Sequence, residues 1–116
     1  MSRRTFIGGQ APRPASEVQI ESVGLNPLDL RRVDVAVDLT PFLGTVNVEM
    51  VIVGPTDDEL CSITLVHNRD PMLDKIMHLR QDAQPGEHTL HIGIFVDEEL
   101  VARAARTFAF PGAGPA

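Results

Sequence analysis

The sequence contains no tryptophan, no tyrosine and a single cysteine, Cys61, among its 116 residues. Without Trp and Tyr the chain lacks the usual stacking platforms for sugars and single-stranded nucleic acid, and the most common anchors of protein interfaces. One cysteine cannot form a disulfide within the chain, so we expect a reducing compartment, the cytoplasm. No apolar run approaches the roughly 18 residues that a membrane-spanning helix needs.

Positive charge is also scarce, because the chain has 10 basic and 16 acidic residues and its formal net charge is −6. An acidic surface repels phosphate backbones and anionic lipids, so we expect neither nucleic acid nor membrane as a partner. The segment 2–7, SRRTFI, resembles a twin-arginine export motif. The apolar stretch that such a signal requires does not follow it, and residues 1–16 are therefore interpreted as a disordered tail.

Motifs of catalysis are missing as well. The chain has no Gly-x-Ser-x-Gly elbow, no phosphate-binding loop and no GxGxxG fingerprint. We therefore expect a protein that is not an enzyme and that uses no cofactor.

What the sequence does contain is alternation of apolar and polar residues with a period of two, which is typical of half-buried strands. The segment 31–39, RRVDVAVDL, is the clearest case, and similar runs occupy 17–22, 45–53, 60–67, 87–96 and 100–110. Their predicted inward residues are Val18, Ile20, Val33, Val35, Val37, Leu39, Val46, Val48, Met50, Ile52, Cys61, Ile63, Leu65, Leu90, Ile92, Ile94, Val96, Leu100, Ala102, Ala104, Phe108 and Phe110. In the last run the alternation also points Arg106 inward, and a β-bulge there would turn it out again.

Segment 70–82 fits two structures. As a helix it would begin with Asp70 as the cap and Pro71 at the first position; as a strand it would turn Met77 and Leu79 inward. We favour the strand, because a sandwich of the other six runs leaves a place for it.

Turn-forming segments separate the runs, at 24–29, 40–44, 54–59, 68–71, 84–86 and 97–99. About seven short strands in residues 17–110 predict an all-β fold, an antiparallel Greek-key β-sandwich, with tails at 1–16 and 111–116. The segment 78–110, HLRQDAQPGEHTLHIGIFVDEELVARAARTFAF, resembles the last three strands of bacterial immunoglobulin-like or fibronectin-type-III-like domains. That resemblance covers about a third of the chain and implies an immunoglobulin-like fold, although the usual core Trp, cysteine pair and tyrosine corner are absent.

Two histidines, His88 and His91, stand three residues apart. On a strand that spacing puts them on opposite faces, about 10 Å apart along the chain, so they cannot hold one metal ion together. We expect His88 at the rim of the core and His91 on the surface. Cys61 is expected inward and inert. Asp34 and Asp38 share the outer side of their strand without an apolar pocket.

Acidic turns offer the best alternative site. Asp57, Asp58 and Glu59 would lie at the same end of a Greek-key sandwich as Asp29 and Asp82, where carboxylates are suitable calcium ligands. The spacing is not that of a known calcium loop, and solvated hairpin tips are the simpler interpretation.

One apolar set is predicted to face outward, consisting of Val51, Val53 and Phe95. If these residues meet on one sheet, they form a patch that needs a partner. The sequence thus predicts a non-catalytic interaction or structural module, which binds a protein partner or itself through this patch or through an exposed edge strand. The alternative is a module that binds calcium or a small ligand through the acidic turns.

Overall fold

The computed structural model describes residues 11–113. In this part of the chain there are nine strands: β1 (Arg13–Pro14), β2 (Ile20–Pro27), β3 (Arg32–Leu39), β4 (Phe42–Leu43), β5 (Val46–Val53), β6 (Glu59–Asn68), β7 (Met72–His78), β8 (His88–Val96) and β9 (Glu99–Phe108). One short 3-10 turn, Ala15–Glu17, precedes β2. Among the described residues no helix is long and apolar enough to span a membrane.

Two antiparallel sheets carry the fold, one with the strand order β2-β3-β7 and one with the order β6-β5-β8-β9. The chain passes from the first sheet to the second between β3 and β5, returns at β7 and crosses again to β8, which is a Greek-key path. The two minor strands, β1 and β4, pair in parallel beside this framework. The predicted all-β, immunoglobulin-like sandwich of about seven main strands is confirmed.

The core lies between the two sheets and is built by the alternating residues. Val33, Val35, Val37 and Leu39 are buried on β3, and Val46, Val48, Met50 and Ile52 are buried on β5. Branched apolar side chains fit a pleated face with little loss of rotamer freedom, which explains why these runs form the central strands. The strand prediction for segment 70–82 is also confirmed, since β7 buries Met77 and the following Leu79.

The strand β2 extends further than predicted. The segment 24–29, predicted as a turn, is largely strand, because β2 continues to Pro27. A proline is tolerated there since β2 is an edge strand. An irregularity in the pairing between Ile20 and Ser22 shifts the alternation, and as a result Val23 and Leu25 pack against the core.

β9 contains a bulge, but it lies near the start of the strand and not near Arg106 as predicted. The pairing of β8 with β9 shifts between Ile94 and Phe95, which places Leu100 opposite Phe95. Leu100 is therefore 46% exposed rather than inward. Arg106 stays in regular register opposite Leu90 and is exposed at the sheet edge, where its guanidinium donates to the Ala105 carbonyl.

The predicted N-terminal tail lies mostly outside the described residues. Within it, Arg13–Pro14 form β1 and pair with Phe42–Leu43, and Arg13 makes an ion pair with Glu17 at 2.6 Å. The boundaries 17–110 of the predicted domain stay a prediction.

Candidate functional site

The two histidines of β8 face opposite sides of the sheet, as their spacing predicts. His91 is exposed, between Val51 of β5 and Ala105 of β9. His88 was expected at the rim of the core but is fully buried. The rings of Phe108 and Phe110 enclose it, with centroids at 5.7 and 4.8 Å. The sequence pattern placed His88 on the correct face and Phe108 and Phe110 inward, but it did not show that these two rings, from the end of β9 and just beyond it, would close over His88.

The buried imidazole has few polar contacts. Its Nδ1–H donates to the carbonyl of Gly86 at 3.1 Å, an assignment that follows from the carbonyl being an acceptor only. Its Nε2 has no hydrogen-bond partner among the described residues. A general base needs contact with its substrate's proton, and an enclosed imidazole offers no such contact. His88 is therefore a core residue in this fold.

Cys61 lies on the inner face of β6 and is 7% exposed. Burial raises the pKa of its thiol, and this outweighs the opposite effect of a hydrogen bond from the backbone of His78. A nucleophilic cysteine needs a lowered pKa and access to solvent, and Cys61 has neither. The residues of the described region contain no group of three or more His, Cys, Asp or Glu side chains placed to hold a metal ion.

The acidic turns do not assemble into an ion cage. Asp29 binds Arg32 at 2.8 Å and accepts the Arg31 amide at 2.9 Å, and these bonds lower the pKa of Asp29, the amide contributing most. Asp29 and Asp82 line one hollow that also contains Arg31 and Arg32.

The β5–β6 turn lies at the same end of the sandwich, but its acidic groups have other partners. The hydroxyl of Thr56 donates to Asp58 at 2.7 Å, and Glu59 lies 3.8 Å from Arg80. Asp57 takes up the left-handed backbone conformation of this turn, at φ 68°. Asp29, Asp58 and Glu59 thus have local structural contacts.

Asp34 belongs to a pair of carboxyl groups, but its partner is not Asp38, the residue that shares the outer side of its strand. Asp38 accepts a hydrogen bond from the hydroxyl of Ser22 at 2.8 Å. Asp34 instead meets Asp74 of β7. The pKa of Asp34 is raised, first by the hydrogen bond with the Asp74 carboxyl and then by burial and charge repulsion. Asp74 belongs to the segment whose structure was ambiguous in sequence, which explains why the pair was missed.

The predicted apolar patch is only partly brought together. Val51 and Phe95 line one shallow hollow on the outer face of the four-stranded sheet. Val53 lies outside it, because Phe95 pairs with Asn47 whereas Val53 pairs with Thr89. Asn47 and Val53 stand six positions apart along β5, which corresponds to about 20 Å.

Phe95 already has a contact within the domain. A Cβ atom added at Gly93 would lie 3.0 Å from Cε1 of Phe95 and 3.4 Å from Cδ1 of Leu100. The ring and the leucine side chain thus cover the bare glycine backbone in the middle of β8. Part of the apolar surface of Phe95 is used in this way, and the residue is half-buried without a partner protein.

The most exposed apolar side chains lie elsewhere. Val66 and Met72 are each 63% exposed and line a groove between β6 and β7, and Ile76, also on β7, is 46% exposed. These residues were not predicted as a surface. The signal was present, since the inward residues Cys61, Ile63 and Leu65 place Val66 outward by parity.

Comparisons with known proteins support the fold. No protein-family model matches the chain, and no curated protein matches it either. Among solved structures, a glycosyl hydrolase family 2 member from Bacteroides cellulosilyticus is similar over 81% of this chain and 15% of its own, with a TM-score of 0.63 and 10% identity.

Two further structures are similar over the same share of this chain. The β-glucuronidase of Bifidobacterium dentium gives a TM-score of 0.67 at 10% identity over 18% of its length. That of Parabacteroides merdae gives 0.65 at 16% identity over 13% of its length. The chain therefore spans less than a fifth of the proteins it resembles, and at these identities the likeness shows that it has the fold of one β-sandwich region within them.

Proposed function

We propose that this chain is a non-catalytic β-sandwich domain that works through protein–protein contact, and that its contact element is the edge strand β6. The supporting observation is the composition of its four sheet edges. A strand at an edge has unpaired backbone groups, and natural proteins usually protect it with charged residues or proline.

Three of the four edges carry such protection. β2 contains Glu21 and ends at Pro27, β7 contains Asp74 and Lys75, and β9 contains Glu99, Arg103 and Arg106. In β6, by contrast, only the first residue, Glu59, is charged, and the nine residues from Leu60 to Asn68 include no Asp, Glu, Lys, Arg or Pro. This edge favours the addition of a partner strand, in which main-chain hydrogen bonds provide affinity.

The side chains beside this edge favour a protein partner. Val66 and Met72 expose apolar surface along the groove between β6 and β7, and Asp70 and Lys75 supply polar groups of both signs at its border. An apolar centre with a polar border is the usual anatomy of a protein interface. Val51 and Phe95, on the outer face of the same sheet, form a secondary apolar area.

The non-catalytic part of the proposal is supported by the enclosed His88 and the buried Cys61, the two groups best suited to acid–base or nucleophilic chemistry. The solved neighbours are consistent with a domain that acts beside others, because in each of them the similar region is a small fraction of a longer chain. With its single cysteine we assign the domain to the cytoplasm.

Site-specific photo-crosslinking tests this function. A photoreactive residue is placed at the exposed Thr64 on β6, and a matched one at the exposed Thr107 on β9, the opposite edge of the same sheet. We expect a defined protein adduct in the cells that make this protein when the probe is at position 64, and none when it is at 107. No adduct at position 64, or the same adducts at both positions, would refute β6 as the contact element.

A further inference from the structure

We propose that the partner strand is β6 of a second copy of this chain, so that two four-stranded sheets join across a twofold axis into one sheet of eight strands. This inference rests on the proposed function of β6 and adds the identity of the partner.

The regular part of β6 is short. Leu60 has no counterpart in the pairing with β5, since Ile52 pairs with Cys61 and Val53 with Glu59. At the other end, Val66 and His67 together face Asn47. His67 takes up a left-handed backbone conformation, at φ 53°, and its amide donates to the side chain of Asn47 at 2.9 Å. Five regularly paired residues, Cys61–Leu65, lie between the two irregularities.

When two copies of β6 pair antiparallel about a twofold axis, each residue of one copy lies opposite the residue of the other copy that is equally far from the axis. An axis through Thr64 sets Thr64 against its own copy and Ile63 against Leu65. Threonine pairs and branched apolar pairs are both favourable across antiparallel strands. An edge with charges at its centre would face itself with like charges, and the absence of charged residues from Cys61–Leu65 avoids that cost.

The charges on either side of Leu60–Asn68 select this axis. Glu59 and Arg69 are the first charged residues on either side of Leu60–Asn68, and each stands five positions from Thr64. Antiparallel pairing about Thr64 therefore directs Glu59 of one copy toward the end of the partner strand that Arg69 follows, and it does so twice. Within residues 11–113 Arg69 makes no ion pair, and Glu59 makes one exposed contact of 3.8 Å with Arg80. Both groups are available for the second copy.

Sedimentation velocity over a hundredfold range of protein concentration tests the pairing. We expect a reversible monomer–dimer equilibrium that stops at the dimer, because a twofold contact through one edge closes on itself. Thr64→Lys sets two lysines against each other on the axis and should raise the dimer dissociation constant at least tenfold. Thr107→Lys on β9 is the matched control and should leave it unchanged, with circular dichroism confirming that both variants fold.

A charge exchange tests the register. Glu59→Arg alone should weaken the dimer roughly 2–30-fold, since two exposed ion pairs are each replaced by repulsion. Glu59→Arg combined with Arg69→Glu should restore it. A strict monomer at all concentrations, a dimer as sensitive to Thr107→Lys as to Thr64→Lys, or a charge exchange without recovery would each overturn the self-pairing. If the crosslink at position 64 captures a different protein, this inference fails while the proposed function stands.

Discussion

Phe95 lies over Gly93 in the middle of β8, and this contact predicts the sign of a substitution. A glycine inside a strand lowers stability by roughly 0.5–1 kcal/mol relative to alanine, because its backbone loses more freedom on folding. Gly93→Ala would regain that free energy if there were room for a methyl group. The new Cβ, however, would lie 3.0 Å from Cε1 of Phe95, closer than carbon atoms normally approach. The ring must move, and its contact with the strand is weakened.

We therefore expect Gly93→Ala to bring no gain in the wild-type protein and a gain of about 0.5–1 kcal/mol in a Phe95→Ala background. The difference, a coupling free energy of about 0.5–1 kcal/mol, is within the range measured for side chains in contact. Gly24→Ala is the matched control: it also lies inside a strand, and its added Cβ would meet Ala36 at an ordinary 3.7 Å. This control should gain about 0.5–1 kcal/mol in either background.

Urea unfolding followed by far-UV circular dichroism measures these changes. The absence of Trp and Tyr rules out the usual fluorescence signal. If Gly93→Ala stabilises the protein equally with and without Phe95, the ring does not lie over the glycine. In that case Phe95 would be free to serve as a contact residue, as the sequence first indicated.

Three further predictions concern the core, the carboxyl pair and the thiol. Met77→Ala should lower the free energy of unfolding, measured by urea titration, by about 2–5 kcal/mol, because it leaves a cavity at a fully buried position. Met72→Ala on the same strand should change that free energy little, because the Met72 side chain is exposed. Asp34→Asn should raise the melting temperature at neutral pH. The hydrogen bond with Asp74 raises the pKa of Asp34, so the folded state disfavours its ionised form, and the gain should vanish below the ordinary aspartate pKa, where folded and unfolded chains are both protonated. Cys61 should not react with a thiol reagent until urea unfolds the protein, and a fast reaction in the folded state would contradict its burial.

The central strands could be predicted from the sequence because their alternation is unbroken. On β3 and β5 each predicted inward residue is separated from the next by one outward residue, and all eight inward side chains are buried. The predictions failed where an irregular pairing shifts that alternation. Leu100 turned out to be exposed because the shift in β9 lies between it and Ala102, and no residue type at that position signals a bulge.

The candidate site was harder to predict because it depends on which strands become edges. Parity alone identifies Val66 as outward, but it does not tell whether β6 has neighbours on one side or on two. Likewise, the pairing of Asp34 with Asp74 requires β7 to lie beside β3, a long-range neighbour relation that no local pattern contains. Strand order is decided by the packing of the whole core.

The two irregularities in the pairing of β6 with β5 affect the rate at which a partner strand would dissociate. They restrict regular pairing to Cys61–Leu65, a length of about 17 Å, so an added strand gains only a few main-chain hydrogen bonds. A contact of that size belongs with small, transient interfaces. Differences in affinity between such contacts arise mainly from the dissociation rate. An edge limited in this way would release its partner quickly. The length of β6 between its two irregularities would therefore set the lifetime of the complex.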